Sequence, residues 1–272
     1  MYLWERTTTR AWLENNEHLL EARAPTGLAV ISIPGRAHVS LQIVCPSRAQ
    51  AARLIRDFQG SAKNLPRDWR QKYLSPQSHA PIRVGRRLLV VAEAIPSRQP
   101  QLVIPTAGAF GTGYHATTAM CLRLLEETTR KFSPGWRLLD AGTGTGILAL
   151  AARCLGAGEV LGLDNDPRAV AHARQNARLN HISRAKFLPG DVLKWKPSIR
   201  YDLITANLFS ELLIATLPIF HRALRARGRL IVSGILRAQA ASVIRALRDS
   251  RFRLEQQRRR GKWVALLASR KT

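Results

Sequence analysis

The first third of the chain alternates between stretches with the two-residue period of a β-strand and stretches with the spacing of an amphipathic helix. Strand patterns cover residues 2–9, 28–33 and 38–44, and helical spacing covers residues 12–22 and 48–58. Ser47 precedes the second of these helices as an N-cap residue, and Gly60 ends it. Together with a strand near residues 61–68, the order β-α-β-β-α-β predicts a small α+β, ferredoxin-like N-terminal domain.

The middle of the chain is rich in proline. Six prolines lie between residues 64 and 105, and one clear strand pattern runs from Arg87 to Ala92. Proline interrupts regular elements and marks loops and turns. We therefore predict three parts: a first domain of residues 1–68, a connector of residues 69–105 and a second domain of residues 106–272.

From residue 106 onward, strand and helix patterns alternate regularly. Predicted helices cover residues 117–129, 146–155, 167–179, 211–225 and 239–248, and predicted strands cover residues 136–140, 159–164, 186–188, 201–206 and 229–234. Residues 252–257 and 263–268 form a final hairpin. Strands separated by helices imply a parallel sheet that is covered on both faces. The pattern thus predicts an α/β domain with a doubly wound, mainly parallel seven-stranded sheet that includes one antiparallel strand.

The composition is typical of a soluble globular protein, with 46% hydrophobic and 22% charged residues. No apolar stretch reaches the roughly 18 residues that span a bilayer, and the first residues lack the apolar block of a secretory signal. Cys45, Cys121 and Cys154 are too far apart for a metal site and too few for a disulfide framework. We expect a cytoplasmic monomer without a membrane-spanning segment or a bound metal.

The net charge of +25 is large, and arginine supplies 35 of the 43 basic residues, the other eight being lysine. Guanidinium groups bind phosphates through paired hydrogen bonds, so one interpretation is a protein that works near RNA. The other is a proteome in which surface cations are generally arginine. The charge lies along the whole chain, with one local cluster at Arg258-Arg259-Arg260. Both interpretations stay open at this point.

A glycine-rich turn follows the first strand of the predicted sheet. Asp140 ends this strand, and Gly142, Gly144 and Gly146 precede a helix that begins at Ile147. Glycines let the backbone turn sharply and let a ligand approach the peptide groups. The helix start offers unpaired N–H groups and the positive end of a dipole, at the sheet edge where α/β proteins bind ligands. The pattern therefore predicts a ligand site.

The spacing of these glycines distinguishes between nucleotide ligands. A dinucleotide fingerprint, G-x-G-x-x-G, would require glycine at position 147 or 149, which are Ile147 and Ala149. A phosphate-binding loop would require a lysine, and none lies near the turn. Asp140 favours a ligand with an ammonium group. The pattern Asp-x-Gly-x-Gly-x-Gly thus predicts S-adenosylmethionine, whose carboxylate would face the helix start.

Acidic residues also follow the next two strands. Asp164 lies 18 residues after Gly146, close to the spacing at which a carboxylate accepts the ribose hydroxyls. Asp166, before Pro167, is expected to be the N-cap of the following helix. Asp191 is either a contact to the adenine amino group or a turn residue. The three strand ends together indicate this ligand more specifically than any one of them does alone.

Two further segments narrow the prediction. The run Ala109-Phe110-Gly111-Thr112-Gly113-Tyr114-His115-Ala116-Thr117-Thr118 precedes a helix, and Thr205-Ala206-Asn207-Leu208 ends the fourth strand. With the glycine turn, Ser233-Gly234-Ile235-Leu236 and Trp263-Val264, they resemble the PrmA family of seven-stranded, Rossmann-like methyltransferases. That family methylates amino groups of the eleventh protein of the large ribosomal subunit. The resemblance covers roughly residues 100–270 and is weak in the N-terminal third.

The resemblance implies a cofactor site. The loop that ends at Thr118 would close over S-adenosylmethionine, and Gly111 and Gly113 would make it a mobile lid. Thr117 or Thr118 would cap the helix, and His115 would stabilise the loop. The predicted cofactor-binding residues are Phe110, Gly111, Thr112, Thr118, Asp140, Gly142, Gly144, Asp164, Asp191 and Asn207.

Asn207 stands where related amino methyltransferases have the first residue of an Asn-Pro-Pro-Tyr clamp. Here the run is Asn207-Leu208-Phe209-Ser210, without prolines. The resemblance implies that Asn207 orients the acceptor amine as the catalytic residue, and that the N-terminal domain docks a ribosomal protein. We therefore expect a protein-lysine N-methyltransferase. The alternatives are an RNA methyltransferase and a non-catalytic protein that binds RNA or the ribosome.

Overall fold

The computed structural model of the chain describes residues 1–23, 28–32, 38–65, 81–105 and 115–271. Contacts between residues divide the chain into two compact units, Met1–Gln77 and Ser78–Thr272. Among the residues described, every helix is too short or too polar to serve as a membrane-spanning segment.

The first unit follows the predicted order β-α-β-β-α-β. Its elements are β1 (Tyr2–Thr9), α1 (Arg10–Arg23), β2 (Leu28–Ser32), β3 (His38–Cys45), α2 (Arg48–Phe58) and β4 (Ser61–Asn64). The strands form one antiparallel sheet in the order β2-β3-β1-β4. Ser47 caps α2 by accepting a hydrogen bond from the N–H of Gln50 at 3.2 Å, as predicted. Strand β4 ends at Asn64, and residues 66–68 of the predicted strand lie outside the described residues.

The core of this first unit follows the strand period. Alternate residues of β3, from Val39 to Cys45, are buried, which places one face of the sheet against the helices. Helix α2 contributes Leu54 and Phe58 to the same cluster. Trp4 is fully buried, and its indole N–H donates to the carbonyl of Gln59 at 2.8 Å. A buried indole thereby keeps a hydrogen-bond partner where the chain leaves α2.

The second unit begins with a small sheet that the sequence pattern only partly predicts. Its three strands are β5 (Ile82–Val84), β6 (Leu88–Val91) and β7 (Gln101–Val103), in that spatial order. Only β6 was expected, because prolines hide the short patterns on either side of it. Residues of this stretch, including Leu88, Leu102 and Ile104, are buried in the core of the second unit. The segment predicted as a connector therefore contributes to that core.

The main sheet of the second unit has seven strands. They are β8 (Arg137–Ala141), β9 (Glu159–Asp164), β10 (Ala185–Pro189), β11 (Tyr201–Asn207), β12 (Leu224–Leu236), β13 (Phe252–Arg260) and β14 (Trp263–Arg270). Their order is β10-β9-β8-β11-β12-β14-β13, and β14 alone runs opposite to the other six strands. This confirms the predicted mainly parallel sheet of seven strands with one antiparallel strand.

Helices cover both faces of this sheet. They are α3 (Ala116–Thr129), α4 (Ile147–Cys154), α5 (Pro167–Leu179), α6 (Ser210–Ala223) and α7 (Ala240–Asp249). Side chains of α3, α4 and α5 pack in one buried cluster, and those of α6 and α7 pack in another. This arrangement is the doubly wound one expected from alternating strands and helices. It brings the carboxyl ends of β8, β9 and β11 to one edge.

Two boundaries differ from the prediction because of a tertiary contact. Helix α6 ends at Ala223, and β12 begins at Leu224, which pairs with Tyr201. Arg225, predicted as helical, lies in the strand and forms a 2.8 Å ion pair with Asp202 of β11. Helical spacing alone cannot reveal a pairing between strands that are separated by a helix.

Candidate functional site

The glycine turn lies between β8 and α4. Gly142, Gly144 and Gly146 have φ angles of +71°, +53° and +79°, in the left-handed region that favours glycine. At Gly142 a side chain is also excluded by packing, because its Cβ would lie 2.3 Å from Cδ2 of Leu208. The three glycines are thus required by the backbone path of the turn.

Hydrogen bonds from the backbone fix the turn to the neighbouring strand. The N–H groups of Gly142 and Thr143 donate to the carbonyl of Leu163 at 2.8 and 2.9 Å. The N–H of Gly146 donates to the carbonyl of Thr143 at 2.8 Å. Since Leu163 lies in β9, these bonds fix the position of the turn relative to the carboxyl end of β9.

Asp140 is buried beneath this turn. Its Oδ2 accepts a 2.7 Å hydrogen bond from the Thr143 hydroxyl, and its Oδ1 accepts one of 2.7 Å from Thr205 in β11. Burial raises the pKa of this carboxyl from 3.8 to about 6, although both hydroxyl bonds oppose the shift. In this position Asp140 ties the turn to β11, and its contact to the cofactor ammonium remains a prediction.

Asp164 ends β9 beside the turn. Its Oδ2 accepts a 2.8 Å hydrogen bond from the N–H of Gly144, and its Oδ1 accepts one of 3.0 Å from the N–H of Asp166. Asp166 in turn accepts a 2.8 Å bond from the N–H of Arg168 and caps α5, with Pro167 in the first turn. This confirms the predicted N-cap. The predicted ribose contact of Asp164 would use the remaining lone pairs of its carboxylate.

Asp191 lies in a turn next to this edge. The N–H of Gly190 donates to the carbonyl of Asp164 at 2.8 Å, which places the two segments side by side. Asp191 Oδ1 accepts a 2.9 Å bond from the N–H of Leu193, and Lys194 lies 4.0 Å from the carboxylate. The side chain thus serves the turn. Among the residues that the structure describes, Lys194 is the one partner of the second oxygen, which leaves that oxygen able to contact adenine.

The structure brings Asn207 and the two threonines of α3 together. The Asn207 side-chain amide donates to the hydroxyls of Thr117 at 3.2 Å and Thr118 at 3.4 Å. Thr117 lies 90 residues away in the sequence. Among the described residues, no group donates a hydrogen bond to Asn207 Oδ1, so this oxygen is available to accept an N–H.

His115 is the N-cap of α3. Its Nδ1 accepts from the N–H of Thr117 at 3.4 Å and lies 2.7 Å from the Thr117 hydroxyl. The prediction that Thr117 or Thr118 caps this helix is wrong, because the helix begins at Ala116 and both threonines face inward from its first turn. The imidazole also packs edge-on against Trp263, with ring centroids 5.2 Å apart. Burial and the Lys262 charge lower the pKa of His115.

Part of the predicted site lies outside the described residues. These are Phe110, Gly111 and Thr112, together with Gly113 of the predicted lid. The remaining predicted residues lie along one edge of the sheet, on the ends of β8, β9 and β11 and at the start of α3.

Two residues of the site were missed by sequence reasoning. Thr143 and Thr205 hold both oxygens of Asp140, and each is buried. A sequence signal for Thr205 does exist, because this residue places a hydroxyl in the apolar run of β11, directly after Leu203 and Ile204. Across the described ranges, no three His, Cys, Asp or Glu side chains lie close enough together to hold a metal ion.

Comparison with known proteins places these features in a family. A sequence model of the family "Ribosomal protein L11 methyltransferase (PrmA)" matches residues 17–271 of the chain. A crystal structure of ribosomal protein L11 methylase from Lactobacillus delbrueckii subsp. bulgaricus is similar, with a TM-score of 0.64 and 32% identity. That match covers 71% of this chain and 100% of the other.

Curated relatives give the same result. The chain is 46% identical over 161 residues to a ribosomal protein L11 methyltransferase of Desulforapulum autotrophicum, covering 59% of this chain and 52% of the relative. It is 39% identical over 204 residues to one of Lacticaseibacillus paracasei, covering 73% of this chain and 63% of the relative. The chain thus spans about half to two thirds of the length of the curated relatives it matches.

Proposed function

Since the chain belongs to the family of ribosomal protein L11 methyltransferases (PrmA), matched over residues 17–271, we propose that it methylates amino groups of ribosomal protein L11. The methyl donor is S-adenosylmethionine, and the acceptors are lysine side chains, the N-terminus or both. The observation that carries the proposal is the edge where the glycine turn, Asp164 and Asn207 meet. The turn would bind the nucleoside of the donor, and the Asn207 amide oxygen can accept an N–H at the same edge. This combination fits the transfer of a methyl group to an amine.

The residues present fit the donor. The turn has no side chain at Gly144, so a ligand can approach the peptide groups there. The start of α4 behind it favours a carboxylate through its dipole. Asp164 and Asp191 supply carboxylates for the ribose hydroxyls and the adenine amino group. Bound there, the donor would supply an electrophilic methyl group on a positively charged sulfur.

Asn207 is the group proposed to orient the acceptor. Its amide N–H bonds to Thr117 and Thr118 fix the side-chain rotamer, so Oδ1 projects as a positioned acceptor. An amine that donates an N–H to this oxygen keeps its lone pair free to attack. Holding reactants in line in this way accounts for much of the catalysis expected of such a site.

The acceptor amine must be neutral before it can attack. A lysine in water has a pKa of about 10.4, so most of it is protonated at neutral pH. The proton passes to solvent water before the attack, and a neutral amide oxygen such as Asn207 Oδ1 stabilises the ammonium less than a carboxylate in the same place would.

Other parts of the proposal concern the whole protein. We propose residues 1–68 as a ferredoxin-like domain that recognises the substrate, residues 69–105 as the connector and residues 106–272 as the cofactor-binding domain. The antiparallel order β2-β3-β1-β4 supports the assignment of the first domain. We further propose that the protein is a cytoplasmic monomer that meets its substrate near ribosomal RNA.

The proposal is tested with ribosomes that lack the modification. The protein is incubated with them and with methyl-labelled S-adenosylmethionine, and ribosomal protein is then separated from ribosomal RNA. Label on the L11 protein supports the proposal, and Asn207→Ala run in parallel should remove it. Label on RNA would instead indicate an RNA methyltransferase, and no label would indicate a non-catalytic binding protein.

A further inference from the structure

A cavity lined by five arginines opens on the second unit and is called here the arginine groove. Its volume is about 440 Å³. The arginines come from three elements: Arg83 from β5, Arg123 from α3, and Arg258, Arg259 and Arg260 from β13. Its floor is apolar, with side chains from β5 and α3. Cations that lie far apart in the sequence therefore converge on one cavity.

The arginine groove differs from the other charged cavities in having no carboxylate among its lining residues. In a second cavity, Glu255 lies 3.3 Å from Arg229 and 3.8 Å from Arg253. In a third, Asp202 pairs with Arg225 at 2.8 Å. Each of those cavities thus has a carboxylate that pairs with some of its cations, whereas the groove has no lining acid.

Arg258 of the groove is paired with an acid, and Arg259 donates hydrogen bonds of 3.2 and 3.0 Å to the side-chain oxygen of Gln257. Arg258 Nη2 lies 2.8 and 2.7 Å from the two carboxylate oxygens of Glu127 on α3. Within the part of the chain that the structure describes, Arg83, Arg123, Arg259 and Arg260 form no salt bridge. Four uncompensated charges around one cavity repel one another unless an anion binds.

The groove also lies next to the proposed methyl-transfer site. Helix α3 carries Thr117, which bonds to Asn207, and also Arg123, less than two turns further along. Arg260 pairs with Trp263 in the β13–β14 hairpin, and the Trp263 ring contacts His115 at the start of the same helix. The groove and the proposed methyl-transfer site thus share helix α3 and the β13–β14 hairpin.

A protective role on the sheet edge explains only part of this cluster. Strand β13 is at the edge of the seven-stranded sheet, where charged residues prevent pairing with other chains. That role would account for Arg259 and Arg260. It does not account for Arg83 and Arg123, which lie on other elements and line the same cavity.

We propose that the arginine groove binds the phosphate backbone of RNA. Several closely spaced negative charges are needed to match the uncompensated guanidinium groups, and RNA carries one on every nucleotide. The planar guanidinium matches phosphate oxygens in pairs of hydrogen bonds. The biological role of this binding rests on the proposed function, because a ribosomal substrate would bring its associated RNA to this edge of the sheet.

The test compares two triple variants of the full chain. The groove variant is Arg123→Gln/Arg259→Gln/Arg260→Gln, which spares Arg258 and its partner Glu127. The control is Arg168→Gln/Arg178→Gln/Arg245→Gln, which removes the same charge from exposed helix positions elsewhere. The probe is a short fluorescein-labelled single-stranded RNA of mixed sequence, and the measurement is fluorescence anisotropy without cofactor or protein substrate.

The groove variant should bind this RNA about tenfold more weakly at low salt than the wild type. Its plot of log affinity against log salt concentration should be shallower by about 2, since each phosphate contact on a single strand contributes a slope of about −0.7. The control should keep nearly the wild-type affinity and slope. Equal losses in the two triple variants, or no loss in the groove variant, would overturn the proposal.

Two further measurements separate the alternatives. Binding of a polyglutamate peptide of the same charge more tightly than the RNA would overturn the assignment to RNA. Methylation of isolated L11 protein by the groove variant should proceed at the wild-type rate, because no residue changed there belongs to the proposed site. The wild type could fail to methylate L11 while the groove variant still binds RNA more weakly than the wild type. That result would contradict the proposed function and would support RNA binding by the groove.

Discussion

The backbone N–H of Gly144 donates a 2.8 Å hydrogen bond to Oδ2 of Asp164, so the carboxylate that ends β9 holds the glycine turn that follows β8. The two residues are 20 positions apart in the sequence. This bond gives Asp164 two tasks in the proposed site, since the residue expected to hold the ribose also fixes the turn that faces the rest of the cofactor.

We expect Asp164→Ala to abolish measurable binding of S-adenosylmethionine. The variant loses the carboxylate for the ribose hydroxyls and also the acceptor for the Gly144 N–H. Its free energy of unfolding without cofactor should fall by about 1 kcal/mol, the lower end of the cost of leaving a donor unpaired, because the Gly144 N–H is only partly buried. Titration calorimetry and urea unfolding measure the two effects.

Asp166→Ala is the matched control for this prediction. It removes the N-cap of α5 and should lower the free energy of unfolding by about 1 kcal/mol, while cofactor affinity stays at the wild-type value. Unchanged cofactor affinity in Asp164→Ala would show that the ribose assignment is wrong.

Asp140 should make stability depend on pH in an unusual direction. Burial raises the pKa of this carboxyl from 3.8 to about 6, so between these values the folded protein binds more protons than the unfolded one. Its contribution to stability is therefore fully present below about pH 4 and is lost as the pH rises through 6. The loss amounts to about 3 kcal/mol, since each pKa unit corresponds to about 1.4 kcal/mol.

Asp140→Asn isolates this contribution. The amide has a similar shape and can still bond to the Thr143 and Thr205 hydroxyls, but it does not titrate. We expect denaturant unfolding at several pH values to show that the free energy of unfolding of the wild type, relative to that of the variant, falls as the pH rises from 4 to 6. A difference that is constant over this interval would contradict the raised pKa.

Gly142→Ala should destabilise the protein through two separable causes. One is the left-handed backbone, with φ of +71°, which costs an L-residue about 1–2 kcal/mol. The other is the contact of the new Cβ with Leu208, at 2.3 Å before any relaxation. We expect a total loss of more than about 2 kcal/mol, measured by urea unfolding, and weaker binding of the cofactor.

Gly135→Ala provides the comparison, because its φ is also positive, at +98°, but a Cβ there would meet nothing within 4 Å. The loss at Gly135 should therefore be smaller. In a Leu208→Ala background, the loss from Gly142→Ala should shrink toward that of Gly135→Ala. If Leu208→Ala gives no relief, the steric contribution is absent.

Asn207→Ala should lower kcat by about 100-fold, with a smaller loss of cofactor affinity. The physical reason is loss of the positioned acceptor for the amine N–H, since a small misplacement of reacting groups costs about two orders of magnitude. Steady-state kinetics with L11 protein and calorimetry with S-adenosylmethionine measure the two quantities. A loss of cofactor affinity without a loss of kcat would assign Asn207 to the cofactor alone.

Thr117→Val tests how Asn207 is held. The Thr117 hydroxyl accepts from the Asn207 amide and lies 2.7 Å from His115 Nδ1, so its loss should free the Asn207 rotamer. We expect kcat to fall by about tenfold, less than for Asn207→Ala, because Thr118 still accepts from the amide. Loss of kcat equal to that of Asn207→Ala would mean that the hydroxyl itself acts on the substrate.

Much of the fold and of the site was predictable from local patterns. The strand over residues 159–164 and the helix over residues 167–179 have the predicted bounds, since Asp166 and Pro167 mark the helix start and apolar periodicity marks the strand. The short strands β5 and β7 were missed because three residues are too few for a period to show among prolines. The capping of α3 was also misassigned, since threonine is a more common N-cap than histidine.

The sequence by itself predicted where most strands and helices form, and it predicted a nucleoside ligand at a glycine turn with Asp140 and Asp164 at strand ends. Those features depend on neighbouring residues, whose period and spacing are visible in the chain. Only the tertiary structure decided that Thr205 and Thr143 hold Asp140, that Leu208 fills the space at Gly142, and that Asn207 meets Thr117. These contacts depend on which strands become neighbours and how helices pack on them, and a local pattern does not carry that information.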